Sequence, residues 1–204
     1  MSPLTRRAAL AIAAAFAAGS VMAAPAALPD DMSLGNPKAR IHVIEYASLS
    51  CPHCAHFNET VFAGFKTRWV DTGKARYTLK EMLTAPEQVA AAGALLARCA
   101  GPAKYFKVVD EVFRSQPRWA DGKIKSVLME IAAANGVSAD QFNACMQDQA
   151  ALDALTLRAK RAFEVDGVDS TPTVFVNGVK LNPLPQSPAE MDAAIAKVLK
   201  KGRR

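Results

Sequence analysis

Cys51-Pro52-His53-Cys54 follows a mostly apolar, β-forming run, Arg40-Ile41-His42-Val43-Ile44-Glu45-Tyr46. The apolar run predicts a buried strand. Apolar residues then recur at three- and four-residue spacing, which predicts a helix that begins near Pro52. Residues 75–80 alternate in polarity and predict a second strand. A strand, a helix and a strand in this order predict a βαβ unit, with both cysteines at the carboxyl end of its first strand.

The spacing of the two cysteines is suited to thiol–disulfide exchange at the start of a helix. A thiolate is the nucleophile in this reaction, and a helix N-terminus stabilises the anion through its free N–H groups and its dipole. Cys51 is therefore the predicted nucleophile, and Cys54, one turn further on, is the thiol that resolves the mixed disulfide. His53 can add positive charge or a hydrogen-bond donor beside the thiolate and so lower the pKa of Cys51.

Two other interpretations of the same residues are a structural disulfide and a zinc site that includes His53 and His56. The cysteines and histidines at positions 51, 53, 54 and 56 are crowded on one helical turn, which is a poor arrangement for a tetrahedral metal site. A redox-active dithiol is the favoured interpretation, and neither a metal ion nor a cofactor is expected.

The first 23 residues have the features of a cleavable export signal. Arg6 and Arg7 precede an uncharged run that is too short to span a bilayer as a helix, and small residues follow it. An alanine-rich buried helix is the alternative. Export predicts a periplasmic location, where disulfides persist.

The charge pattern argues against a nucleic-acid partner. The formal net charge is +6, and four of the basic residues lie in the closing run Lys200-Lys201-Gly202-Arg203-Arg204. A solvated terminus is the simpler explanation of such a run, and no basic stripe with interleaved aromatic residues occurs elsewhere.

The middle of the chain is alanine-rich with helical spacing. Turn signals divide it into four predicted helices, near 87–99, 103–114, 123–134 and 139–148. Further elements are a helix at about 152–165, a β-hairpin that turns at Asn177-Gly178, and a closing helix at 190–200. The predicted segments are therefore a signal peptide (1–23), a first α/β part (24–84), a helical insertion (85–150) and a second α/β part (151–204).

The segment Glu45-Tyr46-Ala47-Ser48-Leu49-Ser50-Cys51-Pro52-His53-Cys54 resembles the active-site region of the DsbA family of periplasmic thiol:disulfide oxidoreductases. Ser170-Thr171-Pro172-Thr173 and the following Val174-Phe175-Val176-Asn177-Gly178 resemble the second signature of that family, a loop that carries a cis-proline opposite the two cysteines. The resemblance implies an α/β, thioredoxin-like fold with an inserted all-helical module over essentially all of the chain after the signal peptide.

The resemblance also implies roles for residues outside the dithiol. Thr171 and Pro172 would face the disulfide and pair with the backbone of a substrate. Glu45, six residues before the nucleophile, would help to move the proton of Cys54. A strand-edge carboxylate in water is the alternative for Glu45, but its apolar neighbours favour burial.

Cys99 and Cys145 each lie on the apolar face of a predicted helix. They are either two inert core thiols or a structural disulfide inside the helical module. An oxidising compartment favours the disulfide.

The leading hypothesis is a monomeric periplasmic oxidase that introduces disulfide bonds into reduced, unfolded secreted proteins through Cys51 and Cys54. The resemblance implies a DsbB-like, quinone-linked membrane partner that reoxidises it. One alternative is a disulfide isomerase or reductase on the same fold, although little sequence precedes Arg40 to form a dimerisation domain. The other alternative is a non-enzymatic metal-binding or chaperone-like envelope protein.

Overall fold

The computed structural model describes residues 26–202 and is organised around one five-stranded sheet. Its strands are β1 (Met32–Gly35), β2 (Ile41–Ala47), β3 (Ala75–Glu81), β4 (Thr173–Val176) and β5 (Val179–Lys180). They lie in the order β1-β3-β2-β4-β5. β2 and β3 are parallel, which confirms the predicted βαβ unit, and the other neighbours are antiparallel. The predicted signal peptide, residues 1–23, lies outside the described residues.

Seven longer helices surround this sheet in the part of the chain that the structure describes, together with two 3₁₀ turns, Gln116–Arg118 and Ala120–Gly122. Helix α1, residues 52–70, joins β2 to β3. Its backbone hydrogen bonding alternates between the α and the π type over four consecutive segments, Pro52–Phe57, Asn58–Phe62, Ala63–Phe65 and Lys66–Val70. The five α-helices between β3 and β4 in the chain are α2 (Glu87–Cys99), α3 (Tyr105–Ser115), α4 (Ile124–Ala134), α5 (Ala139–Met146) and α6 (Gln149–Glu164); the first four form the inserted helical module. Helix α7 (Pro188–Lys201) follows the hairpin. The α/β fold with an inserted helical module is therefore confirmed.

Local sequence signals account for several of these boundaries. Pro52 occupies the first turn of α1, where its missing N–H costs no hydrogen bond. Ser138 and Gln141 form a reciprocal capping box at the start of α5. Asn177 and Gly178 both have positive φ, 47° and 78°, as the tight turn of the β4–β5 hairpin requires.

The two faces of the sheet are covered by different elements. On one face, α1, α7 and the helical module share a large core with β2 residues such as Val43. On the other face, a smaller cluster joins Ile44, Tyr46 and Phe175 to Ala162 of α6. Alternate residues of β2 point to opposite faces, so its odd-numbered residues lie beneath α1. None of the helices within residues 26–202 is both long and apolar enough to cross a membrane.

A buried charge centre joins the end of β3 to the inserted helices. Glu81 is 4% exposed, and Arg98 of α2 and Arg158 of α6 donate to its two oxygens at 2.6 Å and 2.8 Å. The hydroxyl of Tyr105 on α3 donates to the same carboxylate at 3.0 Å. Three helices that lie between β3 and β4 in the chain, α2, α3 and α6, are thus attached through one acidic side chain to the sheet that carries the dithiol.

Candidate active site

The two cysteines of the site occupy different positions at the start of α1. Cys51 is the residue that caps the helix, with φ −80° and ψ 119°, and Cys54 lies within its first turn. Both thiols are free and both residues are buried, Cys51 at 7% exposure and Cys54 at 0%. Cys51 therefore lies nearer to the surface, and Cys54 lies behind it.

The surroundings of Cys51 favour its anion. The pKa of Cys51 is lowered to about 5, chiefly because the Cys54 thiol donates a hydrogen bond to it. Burial acts in the opposite direction, whereas Thr171 and the backbone N–H groups of Cys54 and His53 also lower the pKa. A thiol at a helix N-terminus with such donors is a thiolate at neutral pH.

The surroundings of Cys54 keep its proton in place. Burial is the largest cause that raises the pKa of Cys54, followed by its hydrogen bond with Cys51 and the charge of Glu45. One helical turn thus carries a thiolate and a thiol at neutral pH. This is the division between an attacking and a resolving cysteine that disulfide exchange uses.

His53 lies on the exposed side of the first helical turn. Its backbone N–H is directed at Cys51, and its side chain lines a groove of about 240 Å³ beside the dithiol. The groove is also lined by His56, Phe57, Thr60, Val61, Thr171, Pro172, Leu184, Pro185 and Gln186. The His53 side chain therefore lies at the protein surface, in the groove beside the dithiol.

Glu45 lies in the protein interior and not at a strand edge in water. It is 2% exposed, and the hydroxyl of Tyr77 donates to its Oε2 atom at 2.7 Å. Burial raises the pKa of Glu45 to about 7; the hydrogen bond from Tyr77 opposes this shift, and the charge of Cys51 adds to it. A carboxyl group with this pKa exchanges protons readily at neutral pH.

The loop before β4 lies against the nucleophile. The Thr171–Pro172 peptide bond is cis, as the resemblance predicted. The Cys51 sulfur lies 3.5 Å from the carbonyl oxygen of Thr171, to which it can donate a hydrogen bond only when it is protonated. Within residues 26–202 the structure records no backbone hydrogen bond from the N–H of Thr171.

Gln116 is a site residue that the sequence did not predict. Its side-chain amide donates to the carbonyl oxygens of Leu49 and Cys51 at 3.0 Å and 3.2 Å. It follows α3 directly, so the helical module holds the loop that carries the nucleophile. No local pattern marks Gln116, because its partners lie 65 and 67 positions away in the chain.

The second cysteine pair lies in the helical module. Cys99 ends α2, Cys145 lies in the last turn of α5, and their sulfur atoms are bonded, with a Cα–Cα distance of 6.2 Å. Among residues 26–202, no three His, Cys, Asp or Glu side chains are grouped so that they could hold a metal ion.

A mixed sheet with an inserted helical module, and a thiolate–thiol pair at the start of α1, define a thioredoxin-like dithiol protein. The family model described as "Thioredoxin" matches residues 27–197, and the chain belongs to that family. Within it, the chain is a DsbA-family protein: it is 30% identical to alpha-DsbA1 of Wolbachia pipientis, with a TM-score of 0.77. That match covers 86% of this chain and 94% of the Wolbachia chain.

Curated relatives are similar over most of the chain. A putative protein-disulfide oxidoreductase of Rickettsia typhi is 31% identical over 153 residues, which is 74% of this chain and 56% of the relative. The chain therefore spans little more than half the length of that relative. A probable disulfide bond formation protein D of Bacillus cereus is 27% identical over 83% of this chain and 79% of the relative.

Proposed function

We propose that the protein is a thiol:disulfide oxidoreductase that introduces disulfide bonds into reduced, unfolded proteins by dithiol–disulfide exchange at Cys51 and Cys54. The observation that carries the proposal is the placement of two free thiols in the first turn of α1, with Cys51 at the helix N-terminus and Cys54 fully buried, which shifts their pKa values in opposite directions. A stabilised Cys51 thiolate favours the reduced form of the pair over its disulfide. The disulfide is then a good electron acceptor, as an oxidase requires.

The exchange begins from the Cys51–Cys54 disulfide. A substrate thiolate attacks the Cys51 sulfur, the Cys51–Cys54 bond breaks, and the Cys54 sulfur leaves and takes up a proton. A second substrate thiolate then attacks the substrate sulfur of the mixed disulfide, and Cys51 leaves as a thiolate. The substrate loses two electrons and two protons and gains a disulfide. The protein gains the two electrons and one proton, and the other proton enters the solvent.

The surrounding residues are assigned roles that their positions support. Thr171 and Pro172 would bind the substrate backbone, because the Thr171 carbonyl contacts Cys51 and its N–H has no backbone partner within residues 26–202. Glu45 would supply the proton that Cys54 takes up. His53 would support the thiolate and line the groove in which the polypeptide lies.

The cellular setting forms part of the same proposal. Residues 1–23 would direct export, and the remaining chain would act in the periplasm as a monomer, with residues 85–150 as the helical insertion. Its substrates would be reduced, unfolded secreted proteins, and a DsbB-like, quinone-linked membrane protein would reoxidise it. It would use no cofactor and bind no nucleic acid. The family membership and the similarity to alpha-DsbA1 support this assignment.

The decisive experiment mixes the oxidised protein with a reduced, unfolded substrate and counts the disulfides that each partner holds. We expect stoichiometric transfer, and an equilibrium with glutathione that favours the reduced Cys51–Cys54 pair. Cys51→Ser should abolish transfer, whereas the double variant Cys99→Ala with Cys145→Ala should retain it. Reshuffling of wrongly paired disulfides without net oxidation would favour the isomerase alternative. Zinc binding without any thiol exchange would favour the metal-binding alternative.

A further inference from the structure

Glu45 and Tyr77 face each other from neighbouring parallel strands. The register of β2 and β3 pairs Val43 with Tyr77 and Glu45 with Leu79. Glu45 and Tyr77 are therefore diagonal neighbours on the face of the sheet that lies beneath α1. The Tyr77 hydroxyl donates to Glu45 Oε2 at 2.7 Å, and both side chains are buried.

The Tyr77 ring is held by aromatic neighbours from two other elements. Its centroid lies 4.5 Å from that of Phe62 and 6.3 Å from that of Phe65, both on α1. Phe106 of α3 packs edge-on against it at 5.8 Å. A close-packed ring of this kind has little freedom to turn, so its hydroxyl is a donor at a fixed position.

Glu45 interacts electrostatically with both thiols of the dithiol. The structure records no hydrogen bond to its Oε1 atom from residues 26–202. The titratable groups that interact with Glu45 are Cys51 and Cys54 from α1 and Tyr77 from β3, and Tyr105 of α3 interacts with Tyr77. Burial raises the pKa of Tyr77 well above its usual range, so its hydroxyl remains a donor at every working pH.

We infer that Tyr77 is a positioning residue for the dithiol: its hydroxyl fixes one oxygen of Glu45 and leaves the other free to exchange a proton with Cys54. This inference rests on the proposed function and deepens it. The hydroxyl of Tyr77 makes its recorded hydrogen bond with Glu45 and none with a sulfur atom of residues 26–202. It acts on the dithiol through the carboxyl group of Glu45.

The proton transfer concerns the step in which a mixed disulfide closes. The thiol proton of Cys54 passes to the free oxygen of Glu45, and the Cys54 sulfur attacks the Cys51 sulfur. The bond from Cys51 to the partner sulfur breaks, and the partner leaves as a thiolate. In the oxidising direction the same proton returns from Glu45 to Cys54 as its sulfur leaves. Loss of the Tyr77 hydroxyl removes a hydrogen-bond donor to the carboxylate, so the pKa of Glu45 rises. A smaller fraction of Glu45 is then deprotonated at neutral pH and able to accept the Cys54 proton.

The test follows closure of a mixed disulfide with glutathione. The reduced protein is mixed with glutathione disulfide and quenched in acid, and mass spectrometry separates the mixed disulfide from the closed Cys51–Cys54 form. The closure rate of the wild-type protein should inflect near neutral pH. Tyr77→Phe should move the inflection to more alkaline pH by about one unit, which slows closure at pH 7 about fivefold. Glu45→Gln should remove the inflection.

Tyr46→Phe is the matched control. The Tyr46 hydroxyl also donates to a carboxylate at 2.7 Å, but to Asp166 on the other face of the sheet. Its loss should lower the melting temperature and leave the inflection in place. The inference is overturned if Tyr77→Phe and Tyr46→Phe show the same inflection as the wild-type protein while closure still occurs. Absence of any exchange in the wild-type protein would instead overturn the proposed function.

A second measurement does not depend on exchange. The carboxyl carbon of Glu45 is titrated by NMR in the oxidised protein, with and without Tyr77→Phe. We expect the midpoint to rise by about one pH unit in the variant, since a hydrogen bond to a charged group has about that effect. An unchanged midpoint would overturn the inference.

Discussion

The thiol of Cys51 lies 3.5 Å from the carbonyl oxygen of Thr171, a residue 120 positions further along the chain. The contact joins two parts of the chain that are far apart in sequence, because Cys51 follows β2 and Thr171 precedes β4. These two strands are hydrogen-bonded neighbours, so the two loops meet at one end of the sheet. Under the proposed function, a substrate bonded to the Cys51 sulfur would therefore lie against the Thr171 backbone.

The two active-site thiols should differ strongly in their reactivity. We expect the alkylation rate of Cys51 in the reduced protein to reach half its maximum near pH 5, because the rate follows the thiolate fraction. Cys54 should remain unlabelled in the native protein, since it is buried and protonated. Thiolate absorbance of the wild-type protein and of Cys51→Ser gives the same titration independently. A Cys51 midpoint above pH 8 would contradict the oxidase assignment.

The His53 side chain should lower the pKa of Cys51 further than the backbone N–H of His53 does alone. His53→Ala keeps the backbone N–H but removes a positive charge or donor beside Cys51, so the pKa of Cys51 should rise by about half a pH unit. The variant should also be a weaker oxidant. His56→Ala is the control, because His56 is also exposed and lines the same groove but lies beyond the first turn of α1, further from the helix N-terminus. Equal effects of the two substitutions would show that His53 has no special role.

Local patterns predicted most of the fold. Alternating or continuous apolar runs predicted β2, β3 and β4, and helical spacing predicted α1 to α7 to within a few residues at most ends. Strand β1 was not predicted. It is four residues long, and its register is set by antiparallel pairing of Met32 with Leu79, far along the chain. A short edge strand of this kind carries no periodic signal of its own.

The parts of the site that the sequence did not predict are those that depend on register and on helix packing. Two cysteines separated by two residues at the start of a predicted helix were sufficient to predict Cys51 and Cys54 as a redox-active pair. The contact between Tyr77 and Glu45 instead requires the parallel register of β2 and β3. Gln116 requires the position of α3 relative to the active-site loop. Contacts of this type follow from the assembled fold and not from any local pattern.

The buried carboxyl of Glu45 should make stability depend on pH. Its pKa is raised in the folded protein to about 7, so the folded state disfavours the carboxylate. The contribution of Glu45 to stability is therefore fully present below its unfolded pKa of about 4.3, and it is lost as the pH rises towards 7. Glu45→Gln removes this dependence and should make the oxidised protein more stable than the wild-type protein at pH 8. The gain is at most on the order of 3 kcal/mol, because the oxidised protein lacks the Cys51 charge that adds to the shift.

Urea unfolding of both oxidised proteins at pH 5 and pH 8 measures the effect of Glu45→Gln. The comparison between the two proteins isolates Glu45 from the other titrating groups. If the variant is less stable than the wild-type protein at pH 8, interactions within the folded protein must offset the cost of burying the Glu45 carboxylate.

Glu81 should be far more important for stability than an exposed acid. Glu81→Gln leaves the Arg98 and Arg158 guanidinium groups without their buried counter-charge, so we expect a loss of about 3 kcal/mol. Glu130→Gln breaks an exposed pair with Arg118 and should cost less than about 1 kcal/mol. Urea unfolding at neutral pH compares the two variants. Similar losses for both would mean that solvent screens the Glu81 charge centre as well.

The Cys99–Cys145 disulfide should stabilise the helical module without taking part in exchange. The bond closes a loop with a sequence separation of 46, and the chain-entropy model gives about 4 kcal/mol as the upper value of its stabilisation. Cys99→Ala with Cys145→Ala should therefore lower the melting temperature clearly and leave oxidation of a reduced substrate largely intact. The bond should also resist a mild reductant that opens Cys51–Cys54, because the low pKa of Cys51 makes the active pair the easier one to reduce. Thiol counting after graded reduction shows which of the two disulfides opens first. Simultaneous opening of both bonds would mean that the Cys99–Cys145 pair is redox-active as well.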